Sequence, residues 1–291
     1  MNKIVEKTRL SNDVYRMVVE APLIAKKRKA GQFIILQVDV NFGERIPLTI
    51  ADADAEKGTI TLIFQRVGLT TSLLAEKEAG DEIAALVGPL GKPTHIEKVG
   101  HVVCVGGGIG VAPLYPIACA FKQAGNKVTV IMGARTKELF VMEEEMRAIA
   151  DELILITDDG SSGRKGLVTE PLKEICESEN KPDLAVVIGP PIMMKFCALA
   201  TKPYAVPTVA SLNTIMVDGT GMCGGCRVTV GGETKFVCVD GPEFDAHQVD
   251  FDNMMKRARA FKPREMWAME HKCNLMKAAD DLLAAQGDEK Q

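Results

Sequence analysis

The stretch Val102-Val-Cys-Val-Gly106-Gly-Gly-Ile-Gly-Val-Ala-Pro113 decides the fold class of this chain. Apolar, mostly β-branched residues lead into a glycine-rich turn, which is followed by further uncharged residues, and this pattern predicts a strand that turns sharply into a helix. Backbone amides of such a turn, with the helix N-terminus, can hold a phosphate. The candidate binding residues are Gly107, Gly108, Ile109 and Gly110. Because Val111 stands where the third glycine of G-x-G-x-x-G would fall, a standard dinucleotide fingerprint is not predicted, and a structural tight turn is the alternative.

Beyond this stretch, apolar runs alternate with helical stretches up to residue 210. The alternation predicts a parallel sheet with helices on both faces, forming an α/β domain over residues 99–210. We expect ligands at the C-terminal ends of its strands. The loops expected there supply the candidate residues Arg135, Asp158, Asp159, Gly189 and Pro190.

Residues 1–98 contain short runs rich in β-branched and apolar residues, separated by turn residues. No long helix interrupts them, so the pattern predicts a closed, six-stranded antiparallel β-barrel. The predicted strands are 3–9, 13–20, 32–39, 45–52, 59–67 and 82–88.

Two segments of the barrel half suit phosphate binding. Arg45 is the first residue of a predicted strand, and a guanidinium group can bind a pyrophosphate through two hydrogen bonds. A second surface is expected where a strand leads into a short helix, at Gly68, Thr70, Thr71 and Ser72. A threonine-rich stretch ahead of a helix is most often only a helix cap, which is the alternative here.

After residue 211 a glycine-rich loop carries Asp218, Cys223, Cys226 and Cys238 at the spacing D-x4-C-x2-C-x11-C. Three thiols and one carboxylate on a loop of this kind suit a [2Fe-2S] cluster, because thiolates are the usual ligands of its irons. Two alternatives stay open: a structural zinc site and ordinary buried cysteines beside a turn. A hairpin across residues 227–239 and a helical tail are predicted to complete the segment 211–291, with Pro263 dividing the tail.

Composition narrows the class of protein further. A formal net charge of -4 argues against nucleic-acid binding, which depends on concentrated Lys and Arg. Eight cysteines without a visible secretory leader suggest a cytoplasmic location, where thiols remain free for metals. The uncharged run 102–121 contains several glycines and prolines, so we interpret it as strand, turn and helix and predict no membrane span.

Two other classes of protein are also compatible with these residues. The chain could be a zinc-stabilised scaffold that only binds a partner subunit, or a thiol enzyme. The candidate nucleophiles lie in apolar or helical stretches, where filling the core is the more common role of cysteine; they are Cys104, Cys119, Cys176, Cys197 and Cys273.

A barrel, then a sheet that opens with Gly-Gly-Gly-Ile-Gly, then a cysteine loop resembles the ferredoxin reductase family of flavoproteins over nearly all 291 residues. Gly88-Pro-Leu-Gly91 and Asp159-Gly-Ser161 resemble the branch that contains the electron-transfer subunit of dihydroorotate dehydrogenase. Asp218 replaces the first cysteine of that branch. With this replacement the chain resembles still more the small subunits of NADH-dependent reduced ferredoxin:NADP oxidoreductases.

The resemblance implies FAD on the barrel, NAD(H) on the sheet and one [2Fe-2S] cluster with Asp218 as a ligand. It assigns Arg45, Pro47, Leu48 and Thr49 to the flavin, with Thr49 hydrogen-bonding near the reactive N5. It also implies a heterodimer with a larger FAD and [4Fe-4S] subunit, an indirect role for ferredoxin and electron bifurcation. Two departures stand out: Arg45 is four residues before Thr49 where the broader family has three, and Ile188 replaces a cysteine that often precedes the Gly-Pro.

Overall fold

The structure is a computed structural model that describes residues 2–40 and 44–271. The part of the predicted tail beyond His271, with Cys273, lies outside the described residues. The first half of the chain forms antiparallel strands and two short helices: β1 Asn2–Arg9, β2 Val14–Glu20, α1 Pro22–Lys27, β3 Phe33–Gln37, β4 Ile46–Asp54, β5 Thr59–Gln65, α2 Leu69–Glu76, β6 Glu82–Ile83 and β7 Ala85–Leu90.

The strand order β6-β1-β2-β5-β4-β3-β7 contains seven strands instead of the predicted six. The difference lies in the predicted strand 82–88, which divides at Ala84. Its first part pairs with β1 and its second part with β3, so one continuous segment pairs with both edges of the sheet. Inside the sheet, side chains such as Met17, Ile34, Leu62 and Phe64 form a core that excludes water.

The second half of the chain contains the predicted parallel sheet. Its elements are β8 His101–Gly107, α3 Val111–Gln123, β9 Lys127–Ala134, α4 Glu143–Ile149, β10 Glu152–Thr157, β11 Arg164–Lys165, α5 Thr169–Glu177, β12 Leu184–Ile188, α6 Pro191–Thr201 and β13 Thr208–Ser211. The order β11-β10-β9-β8-β12-β13 reverses direction at β8, whose two neighbours are β9 and β12. Such a reversal leaves a crevice at the C-terminal ends of the strands.

The final segment packs onto this sheet. It contains β14 Arg227–Val230, β15 Glu233–Phe236, α7 Val237–Asp240, β16 Glu243–Asp245 and α8 Phe251–Ala258. The predicted hairpin is present, with its turn at Gly231 and Gly232. β16 was not predicted; it pairs antiparallel with β13 and extends the parallel sheet by one strand.

One buried cluster joins the three parts of the molecule. It contains Phe33 and Ile35 from β3, Val103 and Val105 from β8, and Cys226 and Cys238 from the last segment. A second cluster, on the other face of the parallel sheet, joins α3 to Ala51 of β4. No helix in the described residues is both long and apolar enough to cross a membrane.

Candidate functional site

Asp218 lies in the loop between β13 and β14, and its carboxylate is held by the backbone. One oxygen accepts a hydrogen bond from the Thr220 N–H at 2.9 Å, and the other accepts one from the Cys223 N–H at 2.8 Å. These bonds lower the pKa of Asp218 below its ordinary value, and the bond from Thr220 makes the largest contribution. The side chain is therefore ionised and oriented beside Cys223, as a metal ligand requires.

Cys226 and Cys238 are both buried, and their sulfur atoms lie 3.2 Å apart. Burial, followed by the neighbouring Cys226 thiol, raises the pKa of Cys238 to about 12. The negative charge of the Asp218 carboxylate makes a smaller contribution to the same rise. Two buried thiols in contact need a cation to stabilise them as thiolates, and a bound metal supplies that charge.

Cys223 is exposed, and its sulfur accepts a weak hydrogen bond from the Gly225 N–H at 3.5 Å. The loop bends around it because Gly221 and Gly224 have φ values of 86° and 65°, which residues with a Cβ rarely adopt. These two glycines therefore allow the loop to wrap closely around Cys223.

The four donors fit a two-iron group better than a single ion. Within residues 2–40 and 44–271, no group of three or more His, Cys, Asp or Glu side chains is gathered closely enough to hold one metal ion, as a structural zinc site would require. The Cys226 and Cys238 sulfur atoms are in contact, and the Asp218 carboxylate is held by the backbone N–H of Cys223, the residue that carries the remaining thiol. A [2Fe-2S] cluster takes two protein ligands at each iron, so the donor set fits it.

The glycine turn lies where β8 ends and α3 begins. Gly108 has a φ of 55°, and a Cβ placed on it would meet nothing within 4 Å, so its backbone is open to a ligand. Gly110 differs, because a Cβ there would lie 2.5 Å from the Ile188 carbonyl oxygen of β12. α3 has no acidic residue in its first turn and no side-chain cap. The Val111 N–H bonds to the carbonyl oxygens of the preceding turn, and no side chain competes with a phosphate for the other amides at this helix start.

Gly189 and Pro190 follow β12 and stand next to the glycine turn. A Cβ on Gly189 would lie 3.2 Å from the Cα of Gly107, so the two backbones approach closely. The structure therefore brings together the predicted residues from the ends of β8 and β12, on either side of the crevice where the strand order reverses.

Arg135, Asp158 and Asp159 follow the ends of β9 and β10 and are joined by the backbone. The Asp159 N–H donates to the Arg135 carbonyl oxygen at 3.3 Å. Hydrogen bonds from the Ser161 hydroxyl and N–H to its carboxylate lower the pKa of Asp159. An ionised acid therefore lies at this end of the sheet.

In the barrel, β4 places Pro47, Leu48 and Thr49 opposite Ile35, Ile34 and Phe33 of β3. Arg45 is exposed immediately before the strand. The core that contains Ala51 also contains Val111 and Ala112 at the start of α3. The strand of Thr49 and the glycine turn therefore border the same interface between the two domains.

Two of the predicted phosphate-binding hydroxyls already have backbone partners. Thr71 accepts hydrogen bonds from the N–H groups of Val67 and Gly68 at 3.0 Å, so it caps its own helix. Thr70 is buried and accepts a bond from the Glu44 N–H at 2.9 Å, which ties the start of α2 to the segment carrying Arg45. The capping alternative thus applies to Thr71, while Ser72 remains half-buried beside it.

Among the described residues, the four cysteines outside the loop do not suit nucleophilic chemistry. Burial raises the pKa of Cys104 and of Cys197 to about 12, so both remain neutral thiols at pH 7. Burial also raises the pKa of Cys119 and of Cys176. Cys104, Cys176 and Cys197 fill the core, as expected from their apolar surroundings, while Cys119 is half-buried.

A contact that the sequence analysis missed holds the barrel to the last segment. The Thr94 hydroxyl donates to the Glu243 carboxylate at 2.6 Å, across 149 residues of sequence. Burial raises the pKa of Glu243. Nearby, the Lys92 N–H donates to the Gly241 carbonyl oxygen at 2.7 Å. No local pattern signals such a contact, because the two sides are so far apart along the chain.

Comparison with solved structures identifies the class. A ferredoxin NADP+ reductase from Neisseria gonorrhoeae shares the fold, with a TM-score of 0.57 at 18% identity, and the alignment covers 70% of this chain and 90% of that one. A family model for the oxidoreductase NAD-binding domain matches residues 104–198. The chain is thus an oxidoreductase with a ferredoxin reductase-like fold.

The particular family follows from closer relatives. Residues 213–250 match the iron-sulfur cluster binding domain of dihydroorotate dehydrogenase B. An electron transfer subunit homolog of dihydroorotate dehydrogenase B from Thermotoga maritima is 47% identical over 93% of this chain and 95% of its own length. The chain belongs to this family of electron transfer subunits, and its cofactors are FAD, a [2Fe-2S] cluster and NAD(H).

A second close relative is a solved structure of the NADH-dependent reduced ferredoxin-NADP oxidoreductase, studied for flavin-based electron bifurcation. It is 45% identical, with a TM-score of 0.89, and the alignment covers 94% of this chain and 98% of that one. The relatives in this family are subunits of larger enzymes, so the chain is the electron transfer component of a heteromeric oxidoreductase.

Proposed function

We propose that this chain is the small subunit of an NADH-dependent reduced ferredoxin:NADP oxidoreductase and passes electrons between NAD(H) and a larger flavoprotein subunit. The observation that carries the proposal is the carboxylate of Asp218, oriented by the Thr220 and Cys223 amides in the loop that also carries Cys223 and Cys226. Similarity over 94% of the chain to a solved enzyme of that name supports it. Cytoplasmic location is part of the proposal, because free thiols persist in a reducing compartment.

The barrel residues bind and orient the flavin in this proposal. Thr49 lies on β4, beside the interface with α3, and donates a hydrogen bond near N5. Arg45 supplies a guanidinium group for the pyrophosphate, and the amides at the start of α2 around Gly68 and Ser72 supply further donors. Pro47 and Leu48 hold the strand against β3 through their register with Ile35 and Ile34.

The nucleotide binds across the crevice at β8 and β12. Gly107, Gly108, Ile109 and Gly110 present backbone amides to its phosphates, and Gly189 and Pro190 border its nicotinamide end. Arg135, Asp158 and Asp159 lie near the adenosine end. The ionised carboxylate of Asp159 suits a ribose hydroxyl and repels a 2'-phosphate, so we expect a preference for NADH.

Asp218, Cys223, Cys226 and Cys238 hold the cluster. The chemistry that the bound flavin supplies is the conversion of two-electron exchange with a nicotinamide into one-electron exchange with an iron-sulfur centre. The protein's own contribution is orientation, exclusion of water by the buried pair Cys226 and Cys238, and control of potential through the oxygen ligand.

The partner is the finer part of the proposal. We infer a heterodimer with a larger FAD and [4Fe-4S] subunit, through which ferredoxin is reached indirectly and electrons are bifurcated. The electron transfer subunit of a dihydroorotate dehydrogenase is the second candidate, favoured by the family match over residues 213–250.

Anaerobic purification with visible and EPR spectroscopy tests the proposal. We expect a flavin band, about two irons with acid-labile sulfide and a signal of the reduced cluster on adding NADH. One zinc without sulfide would contradict it. Mass spectrometry of the co-purified large subunit separates the candidates: a [4Fe-4S] flavoprotein supports the first, and a dihydroorotate-oxidising subunit supports the second.

A further inference from the structure

A cavity of about 240 Å³ lies against the cluster loop, outside the residues assigned above. Its wall includes Gly225 of the loop, Arg227 at the start of β14, Arg257 of α8, and Phe261. Thr214 also lines it, and the Oγ1 atom of Thr214 is buried with no hydrogen-bond partner. The two guanidinium groups and the Thr214 hydroxyl therefore meet at one partly open cavity beside the cluster loop, whose remaining lining is mostly apolar.

Each arginine is attached to the loop by one hydrogen bond. Arg227 donates to the Gly224 carbonyl oxygen at 3.1 Å, and Arg257 donates to the Gly225 carbonyl oxygen at 3.5 Å. Gly224 and Gly225 are the two residues between Cys223 and Cys226. In the part of the chain that the structure describes, neither guanidinium group forms an ion pair with a carboxylate. A guanidinium has five N–H donors, so most of those at the cavity have no protein partner.

The charge and size of the cavity restrict what it can bind. Lys256, Arg259, Lys262 and Arg264 add positive charge around Arg257, in a chain whose formal net charge is -4. Pockets for drug-sized molecules usually begin at about 300 Å³, so this cavity suits a smaller group. A carboxylate or phosphate is the partner that paired guanidinium forks bind most strongly.

We propose that this cavity binds a single oxyanionic group between Arg227 and Arg257. The anion comes either from solution, as a free phosphate or carboxylate, or from an acidic side chain of the larger subunit. Its effect on electron transfer rests on the proposed function above. Because both arginines are attached to the loop that holds the cluster, an anion that neutralises them makes reduction of the cluster less favourable.

Calorimetric titration of inorganic phosphate into the anaerobically purified holoprotein, at constant ionic strength, tests the site. We expect saturable binding that is at least about tenfold weaker in R227Q and in R257Q, a loss of about 1.4 kcal/mol each. R264Q is the matched control, because Arg264 lies in the same basic stretch but does not line the cavity, and it should bind as the wild type does. Absence of saturable binding to the wild type, or equal losses in all three variants, overturns the proposal.

Two further measurements complete the design. Should R257Q fail to retain its cluster, R227Q carries the comparison, because Arg227 is exposed and lies outside α8. Titration of the co-purified heteromer separates the two sources: phosphate binding that persists indicates a free anion, and binding that disappears on assembly indicates a carboxylate of the partner.

The EPR signal of the same preparation distinguishes failure of the anion site from failure of the proposed redox function. A cluster without phosphate binding defeats only the anion site, and phosphate binding without a cluster defeats only the proposed redox function.

Discussion

Asp218 combines two properties that an iron ligand needs, ionisation and orientation. Both come from the backbone N–H groups of Thr220 and Cys223, which hold its two oxygens and lower its pKa. A harder oxygen ligand in place of a thiolate changes the electron density at the metal, and thereby the potential. The role of this residue can therefore be tested by separating loss of the ligand from a change of donor atom.

We expect Asp218→Ala to lower the iron and sulfide content of the purified protein about tenfold or more, because removal of a ligand should cost at least as much as loss of an outer partner. Asp218→Cys should retain the cluster with altered EPR and visible spectra. Asp245→Ala, which removes an acid that also holds a backbone N–H in this segment, serves as control. Full cluster content in Asp218→Ala would show that the carboxylate is not a ligand.

The glycine turn offers a matched pair of substitutions. Gly110→Ala has an allowed backbone, with φ at -61°, but its Cβ would lie 2.5 Å from the Ile188 carbonyl oxygen. We expect a loss of roughly 1–3 kcal/mol in stability and weaker NADH binding. In Gly108→Ala the added Cβ would enter open space, so only the positive φ disfavours the variant. We expect this to reduce stability by roughly 1–2 kcal/mol. Thermal unfolding and NADH titration check both; unchanged NADH affinity in Gly110→Ala would argue against a phosphate at this turn.

Asp159 provides a test of nucleotide preference. Its carboxylate is ionised at neutral pH, because Ser161 lowers its pKa. Asp159→Asn removes a negative charge that would repel a 2'-phosphate, so kcat/KM for NADPH relative to NADH should rise about tenfold. Glu152→Gln, at the opposite end of the same strand, should leave the ratio unchanged. Steady-state kinetics with both nucleotides measures the effect, and an unaltered ratio in Asp159→Asn would place the 2' position elsewhere.

At the scale of elements, β16 is the strand that joins the last segment to the rest of the molecule. It pairs with β13 and carries Glu243, which accepts the hydrogen bond of Thr94. Burial raises the pKa of Glu243, so the folded state disfavours its charged form. The contact between barrel and last segment is therefore sensitive to pH.

Between the ordinary pKa of Glu243, near 4.5, and its raised value, the folded protein binds more protons than the unfolded chain. The free energy of unfolding must then fall as pH rises through that window. Glu243→Gln removes the titration, so the variant should lose less thermal stability than the wild type when pH increases from about 4.5 to 7. Exposed Glu179, changed to Gln, is the control. Parallel pH profiles for wild type and Glu243→Gln would rule out a buried titrating carboxylate.

At the scale of the whole molecule, one buried cluster unites the barrel, the parallel sheet and the cysteine segment. Cys226 and Cys238 are members of this cluster, together with Phe33, Val105 and Met254. A metal that binds such cysteines contributes its binding energy to the packing around them. The core of the barrel, which contains Met17 and Leu62, is separate. Loss of metal should thus destabilise the cysteine segment more than the barrel.

We expect iron removal by a chelator to increase hydrogen exchange in β14, β15 and α8, with little change in β1 and β2. The reason is that α8 and the hairpin pack around the buried cysteines, whereas β1 and β2 pack into the barrel core. Mass spectrometry of exchanged peptides, with and without reconstitution, measures this difference. Uniform deprotection of the whole chain would indicate a single cooperative unit instead.

Local patterns predicted much of this fold. The parallel sheet expected from the alternating apolar runs is present, and so is a hairpin within residues 227–239. Hydrophobic periodicity and turn residues act over a few neighbours, so they can be read along the chain. The bend at Ala84 and the strand β16 could not be predicted in this way, because each depends on pairing with a distant strand.

The sequence by itself determined the order of barrel, parallel sheet and cysteine segment and the chemical identity of the donors, since residue type and spacing are local properties. Only the tertiary structure decided which donors meet: it pairs Cys226 with Cys238, engages Thr70 and Thr71 with the backbone, and attaches Arg227 and Arg257 to the loop. These contacts depend on how sheet, barrel and last segment pack around shared buried surface. Packing is a property of the whole chain, and no short stretch of sequence contains it.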